Sequence, residues 1–112
     1  MSSIFKKDGS DVIATAGIAS RNYDAKTLTV ANEAVDYNCK TTGAMFAALD
    51  TALYTEIRTN QPITVKINST SNAAIDILAA DSPYIIDWAQ VENLFISNAS
   101  GNAATVKIVI AG

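Results

Sequence analysis

The segment Thr105-Val106-Lys107-Ile108-Val109-Ile110 places Val106, Ile108 and Ile110 on one side of an extended chain, with Thr105, Lys107 and Val109 on the other. A period of two is the signature of a strand with one buried face. Ile63 to Asn68 repeats it: Ile63, Val65 and Ile67 face one way, Thr64, Lys66 and Asn68 the other. A strand cannot cover its own apolar face. Two such segments therefore commit the chain to a sheet with a second layer packed over it.

Weaker strand signals surround these two. Ser3 to Lys6, Val12 to Ile18 and Thr27 to Ala31 are extended candidates separated by turn residues at Asp8-Gly9 and Asn22-Tyr23-Asp24, and Val35, Tyr37 and Cys39 alternate in a further short one. Later come Ala73 to Ala79, Tyr84 to Trp88 with Tyr84, Ile86 and Trp88 on one side, and Asn93 to Ser97. Asn98-Ala99-Ser100-Gly101-Asn102 is a turn into the last strand.

One stretch changes period. From Gly43 to Thr59 the apolar residues Met45, Phe46, Leu49, Ala52, Leu53 and Ile57 recur at spacings of three and four, which predicts a helix over Thr42 to Thr59. Thr41 or Thr42 supplies its N-cap, Asn60 its left-handed exit, and Pro62 prevents continuation. Phe46, Leu49, Leu53 and Ile57 then lie against a sheet. The predicted fold is mainly β with one α-helix, an α+β chain of about seven to nine short strands. It forms an antiparallel β-sandwich or a small barrel-like sheet pair, with the helix inserted between the early and late strands. Its 112 residues suit one domain spanning 1–112, with residues 1–7 as an assembly arm.

The residue inventory argues against an enzyme. Histidine is absent, which removes Ser-His and Cys-His nucleophilic pairs and the commonest metal ligand. Cys39 is the single cysteine, so neither an intrachain disulfide nor a cysteine metal site can form, and it reads as a buried thiol. Asp8 and Asp11, and Asp76, Asp81 and Asp87, lack the spacing of a calcium loop and read as solvated turn residues. Spacing leaves a carboxylate acid/base pair open, because such groups meet in space rather than in sequence. The five glycines, at positions 9, 17, 43, 101 and 112, make neither a dinucleotide fingerprint nor a phosphate loop. The expectation is no catalytic, cofactor-binding or metal-binding residue, and no cofactor. Asn68-Ser69-Thr70 and Asn98-Ala99-Ser100 match the glycosylation acceptor pattern but read as turns.

Charge narrows the partners. The net charge is −3, and among the basic residues only Lys6-Lys7 are adjacent, so a nucleic-acid partner is not expected. No apolar run approaches the roughly 20 residues of a membrane span and no signal peptide is evident, so no membrane association is expected. Charged residues make up only 17% of the chain, against about 25% in typical domains, and a weakly charged polar surface suits close packing of copies. Bare strand edges add main-chain groups ready to pair with a neighbour. The candidate interface residues are Ile4 and Phe5 near the N-terminus, together with Tyr84, Ile86 and Trp88. With Ile85, that second cluster suits core packing first and an exposed contact second.

The stretch from Val91 to Ile110, Val-Glu-Asn-Leu-Phe-Ile-Ser-Asn-Ala-Ser-Gly-Asn-Ala-Ala-Thr-Val-Lys-Ile-Val-Ile, resembles the terminal hairpin of small β-rich virion proteins of tailed bacteriophages, of the head decoration or accessory type. The resemblance implies a non-enzymatic capsid decoration or accessory subunit that binds a virion lattice protein of capsid or tail. It also implies a symmetric homo-oligomer, made in the host cytoplasm and residing in the virion. Two alternatives stand beside it: a tail-tube or other self-assembling tubular subunit, in which two sheets with a flanking helix line a ring, and a small carbohydrate- or cell-surface-binding β module using Tyr84 to Trp88.

Overall fold

The aliphatic alternation of the late segments is realised as paired strands. The computed structural model describes residues 23–47 and 49–112. These residues form β1 (Tyr23–Val30), β2 (Tyr37–Asn38), β3 (Tyr54–Thr59), β4 (Ile63–Ile67), β5 (Ile75–Ile77), β6 (Tyr84–Ile86), β7 (Leu94–Ser97) and β8 (Ala104–Ala111). One four-stranded sheet has the order β1-β8-β3-β6 and the other β2-β7-β4-β5. Every pairing is antiparallel. Among the described residues the sheets are not closed into a barrel, and each has two edge strands.

The core lies between the two sheets. β8 sits inside the first sheet and buries Ala104, Val106, Ile108 and Ile110 completely, while Thr105 and Lys107 are exposed. Leu28 and Val30 of β1, Ile57 of β3 and Ile86 of β6 join that face; Ile63 and Val65 of β4, Ile77 of β5 and Leu94 and Ile96 of β7 meet it from the other sheet. The β3–β4 connection is only Asn60-Gln61-Pro62, yet it carries the chain from one sheet to the other. Asn60 holds that corner by accepting the Thr105 N–H through Oδ1 at 2.8 Å, which is a strand-to-turn staple rather than a helix exit.

The helix predicted over Thr42 to Thr59 does not form. Among the described residues there is no α-helix, only a 3-10 turn at Ala79–Asp81. Ala44 and Phe46 have φ of 55° and 63°, left-handed values that no α-helix can contain. The residues ahead of β3 are instead an irregular cover that presses Met45 and Phe46 into the core. It packs closely at Gly43, where a Cβ would come 2.7 Å from the Cys39 carbonyl oxygen.

The false period has a clear origin. In β3 the buried residues are Thr55, Ile57 and Thr59, so two of three inward positions are polar and the alternation is invisible to an apolar count. Met45 and Phe46 from the loop and Ile57 from the strand then fall by coincidence at helical spacing. β-branched Thr and Ile, with Tyr54 leading, fit a pleated half-buried surface better than a helix. Leu53, placed on the helix's buried face by the sequence reading, is 51% exposed. Leu53→Ala is accordingly expected to shift stability by less than about 0.5 kcal/mol in urea denaturation, where a core leucine would lose about 2–5 kcal/mol.

Thr55 carries an energetic cost of its own. It is fully buried opposite Ile86 and Ile110, and its Oγ1 has no hydrogen-bond partner. An unpaired buried hydroxyl costs about 1–3 kcal/mol. Thr55→Val keeps the β-branched shape and removes the orphan oxygen, so a gain of about 1–2 kcal/mol is expected. A lower thermal midpoint for this variant would show that the hydroxyl has a partner in solution.

Other boundaries also differ from the sequence reading. β5 is confined to Ile75–Ile77, and Leu78 beyond it is 53% exposed. β6 ends at Ile86, so the alternation that put Trp88 beside Ile86 stops before Trp88 is reached. The candidate strands Ser3 to Lys6 and Val12 to Ile18 lie outside the described residues.

Candidate functional site

The titratable groups do not converge. Among the described residues no three His, Cys, Asp or Glu side chains come together as a metal site. Burial pushes the Cys39 thiol up to about 12, which keeps it protonated and unreactive as a nucleophile near neutral pH. Asp81 accepts the Leu78 N–H at 3.1 Å and caps the 3-10 turn, and Asp76 stands exposed on β5. Asp8 and Asp11 lie outside the described residues.

The outer face of the first sheet is unusual in being partly apolar. Cross-strand register sets Tyr23, Ala111 and Tyr54 in one row and Ala25, Val109, Glu56 and Ile85 in the next. Tyr23 is 60% exposed and Ile85 41%. Glu56 is the one acid in these rows. It accepts the Tyr54 hydroxyl at 3.1 Å and the Arg58 Nε at 3.0 Å, so its charge is matched within the face. Burial first, then the bond to Glu56, raises the Tyr54 phenol and holds it neutral. A third row of Thr27, Lys107 and Arg58 borders the apolar rows with positive charge.

The candidate interface residues are scattered by the fold. Ile86 is fully buried in the core and offers nothing to a partner; Tyr84 is half-buried against the same core; Trp88 is 61% exposed beyond the strand end. Ile4 and Phe5 lie outside the described residues. Tyr23, Tyr54 and Val109 were missed by the sequence reading, whereas Ile85 belongs to its Tyr84, Ile86 and Trp88 cluster and is turned outward on the sheet. Val109 did carry a signal, being the apolar residue on the Thr105 and Lys107 side of β8.

Trp88 lines a separate groove of about 430 Å³, together with Ile67, Asn68, Asn72, Ala73, Ile75 and Ala89. Asparagines fix its shape. Asn68, at φ 69°, accepts the Glu92 N–H at 2.7 Å through Oδ1 and donates Nδ2 to the Gln90 carbonyl at 3.0 Å, clamping the Trp88-bearing segment to the end of β4. Asn72 donates Nδ2 to the Ile67 carbonyl. The second glycosylation-like asparagine, Asn98, is 1% exposed, with its Nδ2 committed to backbone carbonyls. Both therefore serve as turn scaffolds.

A scan against protein-family models and searches of the curated proteins and of the solved structures find no match.

Proposed function

We propose that this chain is a non-enzymatic virion structural protein, a capsid decoration or accessory subunit that acts through contacts with its own copies and with a virion lattice protein. The observation that carries this reading is the outer face of the first sheet, where two adjacent rows present Tyr23, Tyr54, Val109 and Ile85 beside a charged border of Lys107 and Arg58. An apolar, aromatic centre with a polar rim is the anatomy of a protein interface. Among the described residues the eight-residue β1 is an edge strand of the same sheet and offers main-chain pairing. The tubular alternative leaned on a flanking helix, and the described residues contain none.

The test is light scattering after size-exclusion chromatography, with Ile85→Lys and Tyr23→Ser beside the wild type. The wild type is expected to form a symmetric oligomer or to bind a purified virion lattice, and the variants to weaken that association by at least about tenfold, about 1.4 kcal/mol. Both residues are exposed, so melting should be unchanged. A wild-type chain that stays monomeric at high concentration and binds no virion component sinks the reading.

A further inference from the structure

The groove beside Trp88 stands apart from the proposed assembly face and needs its own account. Its volume of about 430 Å³ falls within the roughly 300–1,000 Å³ of small-ligand sites. Half-buried Ile67, Ile75 and Ala89 make an apolar floor, and Trp88 presents its indole at 61% exposure. Tryptophan this exposed leaves a large apolar ring face in water. The polar lining consists of amides, Asn68 and Asn72, and no ionisable side chain lines the groove.

We propose that this groove binds a neutral carbohydrate. The C–H face of a pyranose ring is apolar and flat enough to stack on an indole, while its hydroxyls both donate and accept hydrogen bonds. An amide offers both functions as well. Asn72 spends Nδ2 on the Ile67 carbonyl, which leaves its Oδ1 as an acceptor for a sugar hydroxyl. The clamps made by Asn68 hold the Trp88 segment against the end of β4 before any ligand arrives, so little ordering is left to be done on binding. The absence of charge in the lining selects against acidic sugars, whose carboxylates would meet no cation. A flat protein partner would leave the concavity unfilled, whereas it has room for a sugar ring stacked on the indole.

Trp88 is the single tryptophan, so its emission reports on this groove alone. The experiment titrates the full chain with maltohexaose, cellohexaose and chitohexaose, and with heparin and polysialic acid as anionic controls. Saturable change in Trp88 emission with at least one neutral oligosaccharide and none with the anionic polymers is the expected result. Saturation-transfer NMR then reads binding without the fluorophore: Trp88→Ala is expected to lower affinity at least about tenfold, Trp88→Phe to retain part of it, and Asn72→Ala to weaken it. Unchanged melting of Trp88→Ala would keep that loss assignable to the groove. Binding by Trp88→Ala equal to wild type, binding of anionic polymers only, or no response to any neutral oligosaccharide overturns the proposal. So does an emission change that follows protein concentration alone, since that assigns Trp88 to a contact between copies.

Discussion

Ile108→Asp is expected to abolish the cooperative unfolding transition, leaving a chain without near-ultraviolet circular dichroism at 25 °C. Ile108 is fully buried at the middle of β8, between Lys26 of β1 and Ile57 of β3 in register, with its side chain in the inter-sheet core. Losing a large aliphatic there costs about 2–5 kcal/mol. Holding a carboxylate in the same place adds several more, because its cross-strand neighbour Lys26 is exposed and would have to leave solvent to pair with it. Together these reach the whole stability of a small domain, about 5–15 kcal/mol. Thr105→Asp is the control: the strand turns Thr105 to solvent, and its change should stay within about 0.5 kcal/mol. If Ile108→Asp melts cooperatively near the wild-type midpoint, the register of β8 is wrong.

The contrast between neighbouring residues of one strand shows which part of this fold local sequence can carry. β4 and β8 are legible because their inward positions are nearly all large aliphatics while Thr64, Lys66, Thr105 and Lys107 face outward, so a window of six residues contains the signal. β3 is not legible by that measure. Its buried threonines give no apolar period, and its neighbours Met45 and Phe46 supply a misleading one from a loop whose left-handed residues are not marked by glycine. Tyr84 to Trp88 failed differently: the alternation is real through Ile86 and then ends, and nothing local announces where a three-residue strand stops.

The candidate surfaces were harder still, because they depend on strand order. Tyr23, Tyr54 and Ile85 come from β1, β3 and β6, distant in sequence, and become one face only when β8 is inserted between β1 and β3. Such pairings are long-range events that local propensity does not encode. Val109 and Ile85 were the legible members. The groove has the same character, since Trp88 meets Ile67 and Ile75 through clamps made by Asn68, which reads in sequence as an ordinary turn residue.

Asparagine is the residue whose structural weight the sequence most conceals, and Asn98 gives the means to measure it. Its buried Nδ2 donates to the carbonyls of Val30 at 3.0 Å, Ala31 at 3.3 Å and Asn102 at 2.7 Å, while Oδ1 accepts the Ser100 N–H at 3.1 Å. One amide thus ties the end of β1 to the β7–β8 turn. Asn98→Asp is nearly isosteric but replaces the donor with an oxygen that faces carbonyl oxygens. The expected loss is about 3–5 kcal/mol at neutral pH, comparable to breaking a buried charged pair. Protonation restores a donor, so the introduced carboxyl is expected to have a folded-state pKa above its unfolded value of about 3.9. A raised pKa means the protonated form is favoured by folding. The variant's stability relative to wild type is therefore greatest below that unfolded value and is lost as pH rises through the folded one. Urea denaturation from acid to neutral pH measures this directly. A deficit that does not depend on pH would mean that Asn98 acts through shape, and that the three carbonyls find other donors without it.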